Sequence, residues 1–130
     1  HTIEEKAQSY FKAPSGIPMI QHSLIALLEL VKRGVFSLET VVKLMAHQPA
    51  IVFGIEKRGF IREGYFADLV VVDMNSSQTV DRSNIFYHCG WSPLEGHTFH
   101  SKIIRTFVNG NTVYQDLKTP QFTHFTSHQL

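Results

Sequence analysis

Eight histidines in 130 residues are the first groups that could do chemistry, because histidine is both a metal ligand and an acid–base group. A metal site needs such side chains at a defined spacing, for example two on one helical face. His97 and His100 lie three residues apart in a segment without helical periodicity. His22 and His47 lie on separate predicted helices, and His124 and His128 lie in the polar tail. The spacing therefore predicts no metal site built from this chain alone, and it favours surface or capping roles.

Acidic and nucleophilic side chains give no complete constellation either. Glu95 lies near Trp91, where burial could tune a carboxyl group, but an ion pair that fixes the loop is the favoured interpretation. Asp68 is predicted to bind backbone at the entry to a strand. His88 precedes Cys89, and neighbours on an extended chain point to opposite faces, so the pair is poorly placed for nucleophilic catalysis.

The composition excludes several classes of protein. Hydrophobic residues make up 43% and charged residues 18%, as in an ordinary globular domain. Twelve Lys and Arg against eleven Asp and Glu give a net charge of +1, which argues against nucleic acid and membrane partners. A single cysteine excludes an internal disulfide framework, and no apolar stretch is long enough to span a bilayer. We therefore expect a cytoplasmic protein.

The first part of the chain, after an irregular loop, has helical periodicity. Apolar residues spaced at helical intervals predict a helix over 20–32, and Gly34 follows as its C-terminal cap. Ser37 is a good N-cap for a second helix. Pro49 suits the first position of a short third helix that Gly54 closes.

The second part has the period of β-structure. Predicted strands occupy 59–65 (with a turn), 67–73 (buried), 103–107 and 112–114. Asn109-Gly110 predicts a type I′ hairpin between the last two, whereas 79–100 is predicted to be a loop. A sheet of so few strands is only marginally stable by itself. We therefore expect these strands to belong to a larger sheet.

Two of these strand segments carry a family signature. The run from Gly59 to Asp73, with its Ala-Asp-Leu-Val strand, resembles the C-terminal signature of the amidohydrolase superfamily. The segment from Phe107 to Tyr114 is similar to the closing hairpin of the same region. The resemblance implies an α/β fold: the last helices of a metal-dependent (β/α)8 barrel, followed by strands of a small composite β-sandwich.

Two further stretches point to the dihydroorotase branch. The stretch Trp91-Ser92-Pro93-Leu94-Glu95-Gly96 is similar to a loop of dihydroorotases and related cyclic amidohydrolases. The segments 1–6 and 12–18 resemble the family segment after the last barrel strand, which reads Asp-His-Ala-Pro-His, an acidic pair with Lys, then Ala-Pro-x-Gly. In this alignment His1 is the last histidine of that motif.

The resemblance implies a reaction and a small set of site residues. Dihydroorotases interconvert N-carbamoyl-L-aspartate and L-dihydroorotate in pyrimidine biosynthesis, with zinc ions that activate a water molecule. His1 would bind the substrate carboxylate, and Ala13, Ser15 and Gly16 would offer backbone contacts. The catalytic aspartate would lie four residues before His1, and the zinc ligands further upstream. The resemblance therefore assigns no catalytic residue and no metal ligand to this chain.

Three segments and three possible functions follow. Residues 1–56 would end the barrel, 57–116 would belong to the sandwich, and 117–130 would be a loosely held tail without assigned role. The expected partners are a small-molecule substrate, the amino-terminal part of the same protein, and further copies of the whole enzyme. A hydantoinase- or allantoinase-like cyclic amidase is one alternative, and a non-catalytic assembly module built on an amidohydrolase end is another.

Overall fold

Helices come first along the chain and strands follow, as the change of period predicts. The computed structural model describes residues 1–116 and 121–122. The helices are α1 (Ile3–Lys6), α2 (Ser23–Lys32), α3 (Leu38–Val42) and α4 (Gln48–Val52). The strands are β1 (Leu69–Asp73), β2 (Gln78–Thr79), β3 (Thr98–Phe99), β4 (Lys102–Val108), β5 (Asn111–Gln115) and β6 (Gln121–Phe122).

Helix α2 begins after a single 3-10 turn over Ile20–His22 and ends at the predicted glycine. Gly34 has a φ of +73°, a conformation that glycine adopts without steric cost. Its N–H donates to the carbonyl of Val31, and the N–H of Val35 donates to the carbonyl of Leu30. These two bonds form a Schellman cap, which satisfies carbonyl groups left open at the helix end. The predicted end of the helix is confirmed.

Helices α3 and α4 form one continuous rod with a wider turn between them. The Ser37 hydroxyl accepts the N–H of Thr40 at 3.1 Å, so the predicted N-cap is confirmed. A π-helical turn over Lys43–His47 joins α3 to α4. Pro49 has no N–H and its ring crowds the preceding turn, and a π-helical turn is one way for a helix to absorb such a residue. The rod ends before Gly54, as predicted.

A four-stranded antiparallel sheet occupies the second part, in the order β1-β4-β5-β6. Asn109 and Gly110 connect β4 to β5 with φ values of +52° and +79°. Positive φ at both central positions is the requirement of a type I′ turn, so the predicted hairpin is confirmed. Among the described residues, a second sheet pairs the two-residue strands β2 and β3.

Three expectations for the second part were wrong. Residues 59–65 form turns, including the bond from Tyr65 N–H to Arg62 O, and among the described residues no strand pairs with them. The strand over 67–73 is shorter than predicted and is not buried: Val70 and Val71 remain 47% and 46% exposed. The segment 79–100 is not all loop, because β3 lies at its end. An apolar β-branched run indicates a strand but not what covers it.

A small core lies between α2 and the segment that follows β1. Ile25 of α2 packs with Val80 and Phe99, all of which are at most 4% exposed. Leu28 on α2 and Val41 on α3 are also buried.

The end of the chain is described only in part. β6 pairs antiparallel with β5. The prediction of a loosely held tail over 117–130 otherwise falls on residues outside the described ranges. Within those ranges, no helix is long and apolar enough to cross a membrane.

Candidate functional site

His1 is held at two points, its ring by Glu5 and its backbone carbonyl by Trp91. Its ring Nδ1 lies 3.2 Å from Oε2 of Glu5. Glu5 itself is fixed, because the same carboxylate accepts the N–H of Thr2 at 2.9 Å while the Thr2 hydroxyl caps the first turn of α1. The indole N–H of Trp91 donates to the carbonyl of His1 at 2.9 Å. The two motifs that resemble dihydroorotases are therefore in contact, although the residues that meet lie 90 positions apart in the sequence.

The loop of residues 13–16, whose backbone is expected to contact the substrate, is joined to α1 by one side chain. The Lys6 ammonium donates to the carbonyl of Pro14. The N–H of Ala13 is already used, since it donates to Ser9 O at 2.9 Å. Ser15 and Gly16 are exposed, and neither donates its backbone N–H within the described part of the chain. These two N–H groups are thus available to a ligand.

Gly16 shows why this loop is irregular. Its φ of +87° lies in the left-handed region, and an added Cβ would meet no atom within 4 Å. Glycine is therefore required here by the backbone conformation and not by lack of space.

A second loop, residues 84–92, is locked to the start of α2 by Gln21. The Gln21 backbone N–H donates to the Tyr87 hydroxyl at 2.9 Å. Its side chain donates to the carbonyl of Asn84 at 2.6 Å and accepts the N–H of Phe86 at 2.9 Å. Three bonds from one residue fix this loop although it lies more than sixty residues away in sequence.

His22 is buried beneath the same loop. It is only 1% exposed, and its Nδ1 lies 3.3 Å from both the Tyr87 hydroxyl and the Ser92 hydroxyl. Its Nε2 has no hydrogen-bond partner among the described residues. Burial lowers the pKa of His22, because the charged form loses hydration that nothing replaces. His22 is therefore a neutral structural histidine.

No local pattern in the sequence predicts this environment of His22. Its partners are 65 and 70 residues away, and only the fold brings them together.

The other singled-out residues have structural partners. Glu95 is exposed and lies 3.4 Å from Arg82 Nε, which fits the predicted ion pair and not a buried acid. The Cys89 thiol donates only a long contact of 3.9 Å to Trp91 O. His100 donates from its backbone N–H and its ring to Glu29, both at 2.9 Å. These hydrogen bonds lower the pKa of Glu29.

Asp68 holds the end of the β4–β5 hairpin, which confirms its predicted backbone role. Its Oδ1 accepts the N–H of Asn109 at 2.8 Å, and its Oδ2 pairs with Arg58. Partial burial acts to raise the pKa of Asp68, but the bonds from Asn109 and Arg58 outweigh it, so the pKa lies below its ordinary value.

Metal ligands are not clustered in the part of the chain that the structure describes. Within residues 1–116 and 121–122, no three His, Cys, Asp or Glu side chains come together in a way that could hold a metal ion.

The geometry thus presents a histidine held by Glu5 and Trp91, and a glycine loop joined to the same helix α1 through Lys6. The sequence profile of the amidohydrolase family matches residues 29–114. This chain belongs to the amidohydrolase family.

Relatives within the family carry the name dihydroorotase, in agreement with the resemblance seen in the sequence. The chain is 40% identical over 114 residues to "Dihydroorotase" of Halobacterium salinarum and 34% identical over 116 residues to "Dihydroorotase" of Methanothermobacter thermautotrophicus. These matches cover 88% and 89% of this chain but 27% of each relative. The chain thus spans about a quarter of the length of the curated relatives that it matches.

Solved structures give the same fold. The L-hydantoinase (dihydropyrimidinase) of Arthrobacter aurescens matches 79% of this chain with a TM-score of 0.74 and 31% identity. The D-hydantoinase of a Thermus species matches 87% with a TM-score of 0.80 and 24% identity. The matches cover 23% and 26% of those chains. They confirm the predicted α/β fold class.

Proposed function

We propose that this chain is the C-terminal region of a dihydroorotase, an enzyme that reversibly closes N-carbamoyl-L-aspartate to L-dihydroorotate. The observation that carries the proposal is the 40% identity to a dihydroorotase over 88% of the chain. The contact between Trp91 and His1 supports it, because it joins the two segments whose residues resemble that branch.

In this proposal the chain binds and orients the substrate. In its imidazolium form, His1 donates from Nδ1 to Glu5 and has the Nε2–H left to donate to the substrate carboxylate. The backbone N–H groups of Ser15 and Gly16 provide further donors for an anionic or carbonyl oxygen. Ala13, expected to contribute in the same way, has its N–H directed to Ser9, so its part in the site is the weakest of the four.

The zinc ions that dihydroorotases use do not fit the described residues. Those residues contain no cluster of three potential ligands, so the metal ligands and the catalytic acid belong to another part of the protein under this proposal. When bound there, zinc supplies an activated water molecule. The contribution of the present chain is confined to substrate binding and to the scaffold.

The segment boundaries belong to the same proposal. Residues 1–56 complete the barrel and 57–116 contribute to the sandwich. The amino-terminal part of the same protein is the first partner, and a cytoplasmic homo-oligomer is the expected assembly.

A hydantoinase-like cyclic amidase is the second candidate, favoured by the 31% identity to an L-hydantoinase. The cyclic substrates of such an enzyme lack the carboxylate that we propose His1 to bind. A non-catalytic module remains the third, and the absence of activity would favour it.

The test is to purify the protein encoded by the whole gene and to measure its intact mass and its activity. A mass far above 14.8 kDa is expected, since a barrel needs about 250 residues. We expect turnover of L-dihydroorotate, loss of activity after dialysis against a chelator, and recovery with zinc. Hydantoin and dihydrouracil serve as controls without a carboxylate. Preference for either would favour the second candidate, and a mass near 14.8 kDa without activity would favour the third.

A further inference from the structure

Trp91 makes an unusual connection between the start of the chain and the rest. Residues 1–16 bond mainly to each other, through the cap of α1 and the contact of Lys6 with Pro14. Among the described residues, the hydrogen bond from Trp91 Nε1 to His1 O is the only one that joins residues 1–16 to later parts of the chain. The indole therefore restrains the orientation of this segment relative to the loop that contains Trp91.

The bond acts on the backbone of the residue whose ring we place at the substrate. Glu5 restrains the imidazole of His1 but belongs to the same short helix, so it cannot fix that helix relative to the remaining fold. The Trp91 indole supplies this missing restraint at the carbonyl of His1. A shift of about 1 Å in a binding group can cost as much as a hundredfold in rate, so such a restraint matters.

Trp91 is itself held by the residue that follows it. The Ser92 hydroxyl is buried, accepts the N–H of Leu94 at 3.2 Å and lies 3.3 Å from Nδ1 of His22. The Tyr87 hydroxyl similarly accepts the N–H of Gln21. Each hydroxyl therefore keeps its own proton to donate, and in the neutral tautomer of His22 that is protonated at Nε2, Nδ1 is the acceptor within reach of both.

We propose that Trp91 is a positioning residue for substrate binding: it fixes the backbone of His1, and the buried contact between Ser92 and His22 fixes Trp91. The inference rests on the proposed function, since it concerns how His1 meets a substrate carboxylate. It adds a residue outside the set that the resemblance assigns. The loop containing Trp91 thus gains a role in substrate specificity.

The test uses the protein encoded by the whole gene and the variant Trp91→Phe, which keeps an aromatic ring but lacks the N–H. We expect KM for L-dihydroorotate to rise about tenfold, the effect of losing one well-placed hydrogen bond, with kcat changed less than about twofold. KM for dihydrouracil, which has no carboxylate, should not change. Ser92→Ala should raise KM in the same direction by less. Phe86→Leu, which alters another aromatic ring of the same loop, is the matched control.

A double-mutant cycle separates positioning from a general loss of structure. If Trp91 acts through His1, the variant carrying both Trp91→Phe and His1→Ala should have the same KM as His1→Ala alone. Additive effects, an unchanged KM in Trp91→Phe, or an equal rise for dihydrouracil would each overturn the positioning role. A parent protein that does not turn over L-dihydroorotate would instead overturn the proposed function, and the positioning role with it.

Discussion

The two sides of the helical layer differ in how completely this chain covers them. On one side, Ile25 of α2 packs against Val80 and Phe99, and all three are nearly inaccessible to solvent. On the other side, α3 and β1 line a cleft of about 770 Å³ whose apolar walls remain open. Leu38, Val42, Met45 and Val70 are 40–47% exposed there, and we call them the open face.

The difference indicates which of the two surfaces has its packing partners within this chain. The covered side has its partners within the chain, both apolar and polar, because Gln21 and His22 bind the loop above it. Burial of a side chain of the size of valine or leucine is worth about 1.5–3 kcal/mol, and the open face lacks part of this stabilisation. Under the proposed function, an additional segment of the same protein is the expected cover of the open face.

The largest expected effect comes from removing the centre of the covered side. Phe99→Ala should reduce the free energy of unfolding by about 3–5 kcal/mol, because it leaves a cavity between Ile25 and Val80. Urea unfolding of the 130-residue chain and of the protein from the whole gene should give similar losses, since the cluster lies within this chain. Phe53→Ala, at a residue 78% exposed, is the control in the 130-residue chain and should cost less than about 0.5 kcal/mol. A loss below about 1 kcal/mol for Phe99→Ala would contradict this account of the core.

On the open face, the effect of a substitution on the free energy of unfolding should depend on whether a covering segment is present. Val42→Asp should change the stability of the 130-residue chain little, because the side chain is 42% exposed. In the protein from the whole gene it should cost about 2–4 kcal/mol, since a covering segment would bury an unpaired carboxylate. The measurement is again urea unfolding of both proteins.

The neighbouring exposed Lys43 provides the control for this comparison. Lys43→Asp introduces the same side chain one position further along the helix and should be nearly neutral in both proteins. Equal effects of Val42→Asp in the two proteins would show that the open face is an ordinary solvent-facing surface.

Local signals explain the elements that the sequence predicts correctly. Gly34, Ser37 and the Asn109-Gly110 pair each specify the backbone at their own position, so the ends of α2, the start of α3 and the hairpin are readable without knowledge of the fold. The expected contacts of His1 with substrate come from a family resemblance and not from local signals.

Long-range contacts explain what the sequence does not show. The buried position of His22 depends on Ser92, seventy residues away. The strand expected over 59–65 needs a neighbouring strand, and the described residues supply none. The exposure of Val70 likewise depends on what covers β1, which an apolar run does not specify.

The smallest expected effect concerns Asp68, which holds the hairpin on the side of the open face. Asp68→Asn keeps an oxygen for the Asn109 N–H but loses the charge that pairs with Arg58. We expect a loss of about 1 kcal/mol at pH 7, because the pair is partly exposed and solvent screens it. The pKa of Asp68 is lowered in the folded protein, so its contribution is complete above the ordinary pKa of about 3.9 and disappears as the pH falls through the folded value. The gap between parent and Asp68→Asn should therefore close as the pH is lowered from 5 toward 2 in urea unfolding, whereas Glu63→Gln, at an exposed acid of the same segment, should show no such gap. The absence of a gap at every pH would mean that the oxygen at Oδ1, and not the charge, holds the hairpin, and a gap that stays constant down to pH 2 would contradict the role of the charge.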